Sequence, residues 1–240
     1  MKTYSLTDRG RERSKNQDCF FNYFHSRFSL LIICDGMGGH KAGDVASKLG
    51  AETVQQYIVR NKEREDYPQL MREAIAEANR VIFEESRHQE EYSNMGTTIV
   101  CALITGKTAY IAHVGDSRLY LFREKQLRQI TEDHSLVADL MKKGLLLPED
   151  AKHHPERSSL TRALGTDESV DPDFNELELS DGDMLLLNTD GLTNMVSDEE
   201  ITEILSRNTS EKEECEQLIA LANQHGGMDN ITVTLYQAGE

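Results

Sequence analysis

The sequence predicts an α+β fold in which antiparallel sheets are covered by pairs of helices. Three observations carry this reading. Short β-branched runs recur and are bounded by Gly, Asp or Asn, as strands ending in turns are. Helical periodicity comes in adjacent stretches instead of alternating with the strands. No internal repeat, low-complexity tract or Pro/Gly/Ser linker interrupts the 240 residues, so a single domain over 1–240 is expected.

The first predicted strand is the apolar run Phe28–Cys34. A helix follows in which Ala42, Val45, Ala46, Leu49, Val54, Tyr57 and Ile58 fall on one face. A second helix keeps the i, i+3/i+4 spacing through Leu70, Ala74, Ile75, Ala78, Val81 and Ile82. Strands Thr97–Thr105 and Thr108–Val114 come next, with Gly106-Lys107 between them as a tight hairpin, and then Leu119–Arg123. Between Glu132 and Leu164 the pattern changes. A short helix, Leu136–Lys143, is closed by Gly144, and Pro148-Glu149-Asp150 opens another. This stretch, about 134–162, is expected to be a small insert beside the core. Strand Met184–Thr189 precedes a third helix, Asp198–Leu205, opened by the capping box Ser197/Glu200. A fourth helix over about Lys212–Asn223 and strand Ile231–Tyr236 complete the chain.

Acidic residues outnumber basic ones 42 to 26, for a net charge of −16. Such a surface repels phosphodiester backbones and anionic headgroups, which argues against nucleic-acid and membrane-surface partners. Hydrophobic residues at 38% supply a core. No apolar stretch is long enough to cross a bilayer, and Met1 to Gly10 carries no signal-peptide apolar region. Cys19, Cys34, Cys101 and Cys215 form no CxxC pair or zinc spacing, and Cys34 and Cys101 lie in apolar runs. A reducing, cytoplasmic location without disulfides is expected.

Four segments share one design, an apolar strand that ends or begins at an Asp beside a small or turn-forming residue. They contain Asp35-Gly36, Asp116-Ser117, Asp190-Gly191 and Asp229-Asn230. One Asp-Gly is simply a turn, but four against strongly apolar strands deliver carboxylates to a sheet rim. Clustered carboxylates repel one another and raise each other's pKa unless cations neutralise them. Oxygen ligands without His or Cys select Mg²⁺, Mn²⁺ or Ca²⁺ over zinc. No D-x-D-x-D-G loop is present, which excludes an EF-hand. A fifth carboxylate, Asp18, follows Arg13 by five residues. A guanidinium beside a metal-binding Asp suits a phosphate, because it can grip two phosphate oxygens.

These residues resemble the PP2C (metal-dependent protein phosphatase) family, and in particular its small bacterial members. The matching segments are Arg13-x-x-Asn16-x-Asp18, Asp35-Gly36-Met37-Gly38-Gly39-His40, Met95-Gly96-Thr97-Thr98 and Gly115-Asp116-Ser117-Arg118. Asp133-His134-Ser135, Thr189-Asp190-Gly191-Leu192 and Asp229-Asn230-Ile231-Thr232 complete the set, in the family's order, from Arg13 to Thr232. The resemblance implies two stacked antiparallel β-sheets flanked by pairs of antiparallel helices, with metals in a cleft at one end. It implies protein serine/threonine phosphatase activity, by in-line attack of a water or hydroxide activated by two Mn²⁺ or Mg²⁺ ions. By position, Asp35 bridges the two ions, Asp190 and Asp229 complete one, and the Gly36 carbonyl ligates the other. Asp18 holds a water of the centre, Asp116 with Asp190 takes a third ion, and Arg13 binds the phosphate. The segment 134–162 matches the mobile flap beside the active site.

Two departures stand out. Gln17 occupies a position where the family often has Glu. Met37 stands where many eukaryotic members carry a His proposed as general acid, which leaves His40 as a candidate acid beside the alternative of a structural histidine. The thiol mechanism is excluded, since no Cys is followed six residues later by Arg. Expected partners are phosphorylated proteins and a cognate Ser/Thr kinase, and the chain is expected to act as a monomer. The rival readings are a non-catalytic relative serving as a binding platform and another two-metal hydrolase such as a nuclease. The retained aspartates weigh against the first and the −16 charge against the second.

Overall fold

The computed structural model describes residues 2–38, 42–88, 90–151 and 154–239. Strands β1 (Lys2–Asp8), β2 (Asp18–Phe24) and β3 (Ser29–Met37) precede helices α1 (Gly43–Arg60) and α2 (Tyr67–His88). Strands β4 (Gly96–Thr97), β5 (Ile99–Thr105), β6 (Thr108–Val114), β7 (Arg118–Arg123) and β8 (Gln126–Gln129) follow. Next come α3 (Leu136–Lys142) and α4 (Pro148–Ala151), then β9 (Asp173–Glu178) and β10 (Met184–Asn188). The chain ends with α5 (Asp190–Thr193), α6 (Asp198–Leu205), α7 (Glu211–Gln224) and β11 (Ile231–Gln237). One sheet has the order β1-β11-β10-β7-β8, and the other β2-β3-β5-β6-β9 with β4 beside β3. Every pairing is antiparallel.

Period-two alternation sorts the side chains into three apolar layers. Leu30, Ile32 and Cys34 of β3, with Ile99, Cys101 and Leu103 of β5, pack under α1 and α2. Leu31, Ile33, Val100 and Ala102 point the other way and meet Leu119, Leu121, Leu185 and Leu187 of the second sheet. On the far side, Tyr120, Leu186, Val233 and Leu235 pack under α6 and α7, against Ile201, Leu205, Cys215 and Leu218. Burying each such aliphatic side chain stabilises by about 1.5–3 kcal/mol. Strand β3 is apolar on both faces because both are covered. Its hydrophobicity alone therefore does not set its register.

The predicted elements are present, with informative differences at their limits. Strand β3 runs on through Asp35 to Met37, because Gly36 and Met37 pair with Thr97 and Gly96 of β4. The run Thr97–Thr105 is interrupted at Thr98, whose hydroxyl accepts the Asp35 N–H at 2.9 Å. Helix α7 starts one residue early, on a second capping box formed by Ser210 and Glu213. Strands β1, β2, β8 and β9 lie outside the predicted runs. Each holds mainly half-buried or polar residues, such as Asn175, Glu176 and Glu178 in β9, so its apolar contrast is weak. The insert carries α3, capped by the Ser135 hydroxyl, and α4, and bridges Ser135↔Leu160 and Thr97↔Leu164 close its base. All four cysteines are free thiols, and among the described residues no helix is long and apolar enough to cross a membrane.

Candidate active site

The strand registers gather the aspartates at one rim of the sandwich. In one sheet Asp18, at the start of β2, is the direct partner of Asp35 near the end of β3. Directly opposed residues point to the same face. Here it is the face of Phe20 and Ile33, turned toward the second sheet. In the second sheet β10 ends and β11 begins at the same rim, which places Asp190 and Asp229 side by side. Gly191 makes this approach possible, since a Cβ there would lie 1.9 Å from the Asn230 carbonyl oxygen. Asp116 arrives on the turn from β6 to β7 at the same end.

The two sheets touch through hydroxyls at this rim. Thr189 and Thr232 donate to Asp18 Oδ2 at 2.9 and 2.6 Å. Asn194 Nδ2 donates to Asp190 Oδ2 at 2.9 Å. The other oxygens, Asp18 Oδ1 and Asp190 Oδ1, are buried and meet no donor among the described residues.

The electrostatics is that of a site missing positive charge. Burial first, and then the charges of Asp190 and Asp229, push the Asp18 carboxyl up to about 7 despite its two hydroxyl donors. Asp35 is held well above the ordinary carboxylate range, by burial first and then by Asp18, Asp190, Asp116 and Asp229. Burial and then the Asp190 and Asp133 charges raise Asp116, against the pull of Arg118. Burial and then Asp229 raise Asp190, offset in part by the neighbouring Asp35 carboxyl and the Asn194 amide. A cation would neutralise this cluster. Orphaned buried oxygens and an all-oxygen donor set fit hard divalent ions such as Mg²⁺ or Mn²⁺.

Arg13 stands at the edge of this cluster, with its side chain 52% exposed and Nη2 donating to Asp229 Oδ2 at 2.7 Å. Gly36 is buried, and its N–H donates to the Gln17 carbonyl at 3.1 Å. Gln17 turns its side-chain nitrogen toward Gly43 at the start of α1, where it finds no acceptor. His40 lies outside the described residues.

Several residues beyond the expected ligands shape the site. Thr189, Thr232 and Asn194 orient carboxylates. Asn230 pins the loop that carries Arg13, donating to the Arg9 and Lys15 carbonyls and accepting from Gln17 N, each at 2.8 Å. Thr189 and Asn230 adjoin a candidate Asp in sequence, and Thr232 and Asn194 lie within four residues of one.

Comparison with known proteins places this sandwich among the protein phosphatases. The chain belongs to the protein phosphatase 2C family, whose model matches residues 7–228. It is 39% identical over 248 residues to the protein phosphatase PhpP of Streptococcus pneumoniae, covering 100% of this chain and 98% of the relative. The serine/threonine phosphatase Stp1 from Staphylococcus aureus has a similar structure, with a TM-score of 0.94 at 37% identity, covering 100% of this chain and 95% of that one. The catalytic domain of the serine threonine protein phosphatase PstP, in complex with 2 manganese ions, matches with a TM-score of 0.89 at 34% identity over 100% and 98% of the chains.

Proposed function

We propose that this phosphatase hydrolyses phosphoserine and phosphothreonine in proteins at a two-ion Mn²⁺ or Mg²⁺ centre held by Asp35, Asp190, Asp229 and the Gly36 carbonyl. The observation that carries the reading is the set of mutually repelling carboxylates at one rim, two of them with buried oxygens that meet no donor. The relative PstP, which binds manganese at 34% identity, supports it.

When bound, the ions supply Lewis-acid polarisation of the phosphoryl group and a water acidic enough to ionise near neutral pH. The chain's own residues do the rest. Thr189 and Thr232 occupy one oxygen of Asp18, leaving Oδ1 to accept a hydrogen bond from the attacking water and aim it. Arg13, exposed and tied to Asp229 by one nitrogen, keeps donors free for phosphate oxygens as charge spreads over them. Asp116 and Asp190 take a third, weaker ion. The 134–162 insert forms the flap over the substrate side.

The reading includes action as a monomer. A Ser/Thr protein kinase supplies the substrates, since only such an enzyme makes the ester bond cleaved here. Phosphate release from a phosphothreonine peptide tests the proposal, measured with Mn²⁺, with Mg²⁺ and with EDTA. Turnover with either ion and none in EDTA is expected, and full turnover in EDTA overturns it.

A further inference from the structure

His134, at the base of the insert, is 3% exposed and clasps the turn that carries Asp116 from both directions. Its backbone N–H donates to the Gly115 carbonyl at 3.0 Å, and its ring Nδ1 accepts the Gly115 N–H at 3.1 Å. On the opposite side Gly115 leaves no room, since with φ +103° a Cβ would meet Thr98 Cγ2 at 2.6 Å. Ser117 Oγ lies 2.6 Å from Thr98 Oγ1, which in turn accepts the Asp35 N–H. The turn is thus wedged between Thr98 and His134. Among the described residues, no hydrogen bond from another residue holds the Asp116 carboxylate, so its position depends on this backbone.

The Gly115 contact sets the ring's tautomer, since an N–H can donate only to a bare Nδ1, which leaves the hydrogen on Nε2. Nε2 lies 3.3 Å from Asp173 Oδ2 but, among the described residues, has no hydrogen-bond partner, and the other Asp173 oxygen accepts from Arg162 Nη1 at 2.6 Å. His113, His134 and Asp173 bring ligand-type atoms within 4.8 Å of one another, as a metal site would. Ligation through His134 Nε2 would send that hydrogen to Nδ1, where it would face the Gly115 N–H. The chemistry therefore favours the hydrogen-bonded clasp on Gly115 over a metal.

We propose that His134 is a positioning residue for Asp116, holding Gly115 through its ring Nδ1 and its own backbone N–H so that Asp116 is placed for the third ion. The proposal rests on the reading that Asp116 and Asp190 bind that ion.

Two substitutions divide the ring's functions. In His134→Asn the amide oxygen stands near the Nδ1 position and can still accept from Gly115. In His134→Gln the amide nitrogen reaches toward Asp173, and the acceptor for Gly115 is lost. Calorimetric Mn²⁺ titration of the full chain is compared with Asp116→Ala, and the Gly115 amide is followed by NMR in metal-free protein. His134→Gln is expected to weaken the weak class of Mn²⁺ sites by about 10- to 100-fold, leave the tight pair in place and shift the Gly115 amide. His134→Asn is expected to restore most of the weak-site affinity.

Loss of the weak class in Asp116→Ala together with its retention in His134→Gln overturns this proposal alone. Retention in Asp116→Ala overturns the third-ion reading and this proposal with it. Ring ¹⁵N shifts of the unmutated protein provide a check that needs no variant to fold. They are expected to show hydrogen on His134 Nε2, and hydrogen on Nδ1 overturns the clasp.

Discussion

Asp18 and Asp35 are direct partners across the β2–β3 ladder, two carboxylates on one face of a sheet rim. Only an unusual environment tolerates this arrangement, because like charges directly opposite each other destabilise a ladder. The folded chain without metal holds protons there that the unfolded chain releases.

The first consequence concerns metal removal and pH. The folded-state pKa of Asp18 is raised from 3.8 to about 7, so the folded form binds the extra proton between these values. Stability of the metal-free protein therefore falls as pH rises through this window, and the full cost is present above about 7. Scanning calorimetry in EDTA is expected to show a lower melting midpoint at pH 8 than at pH 5. Mn²⁺ should raise the midpoint more at pH 8, by about 2–4 °C for each kcal/mol of binding stabilisation. Equal gains at both pH values would contradict a carboxylate cluster neutralised by the ions.

Arg13 pairs with Asp229 while half-exposed, a contact worth about 0–1 kcal/mol. Its loss should leave Mn²⁺ affinity nearly unchanged, shifted toward tighter binding because a competitor for Asp229 Oδ2 is gone. Losing a charge-assisted contact to phosphate costs about 1.5–3 kcal/mol, or roughly 10- to 150-fold in kcat/KM. Steady-state kinetics of Arg13→Ala on a phosphopeptide checks this. An unchanged kcat/KM would mean that Arg13 does no more than cover Asp229.

Gly191→Ala places a Cβ against a backbone oxygen that has no rotamer by which to escape. The Asp190 and Asp229 segments must separate. Mn²⁺ affinity is expected to fall by about 10-fold or more, with the near-ultraviolet circular dichroism spectrum retained. Wild-type affinity in a folded variant would show that the two carboxylates need no close approach.

Glu214 on α7 is 1% exposed, its Oε2 has no partner among the described residues, and burial pushes its carboxyl up to about 7. The charged form is disfavoured in the fold, so the cost begins near pH 4.5 and is complete above about 7. Glu214→Gln is expected to stabilise by up to about 3 kcal/mol at pH 8 and to change little at pH 5. Denaturant melts at the two pH values read this difference directly. Destabilisation at pH 8 would mean that the ionised carboxylate has a partner there.

The parts of the site most legible in the sequence were those whose chemistry lies along the chain. Asp35 was legible because Leu30–Cys34 precedes it, and Asp190 and Asp229 because Gly191 and Asn230 follow them. The roles of Thr189 and Thr232 were not legible, because a threonine acts on Asp18 only once two separate sheets face each other. Asn230 anchors residues more than two hundred positions away, a relationship that no local pattern contains. Edge strands β2 and β9 escaped because their half-buried residues blur the alternation that marked β5 and β6. The continuation of β3 through Asp35 was hidden by its dependence on the two-residue partner β4.

Mn²⁺ stoichiometry of Asp35→Asn beside the unmutated protein, by equilibrium dialysis with parallel phosphate-release assays, bears most directly on the two-ion centre. Asparagine keeps the shape and removes the charge that the tight pair is proposed to share. The expected result is a tight pair in the unmutated protein, loss of that pair in the variant, no turnover, and an intact circular dichroism spectrum. Two tightly bound ions and near-normal turnover in Asp35→Asn would contradict the assignment.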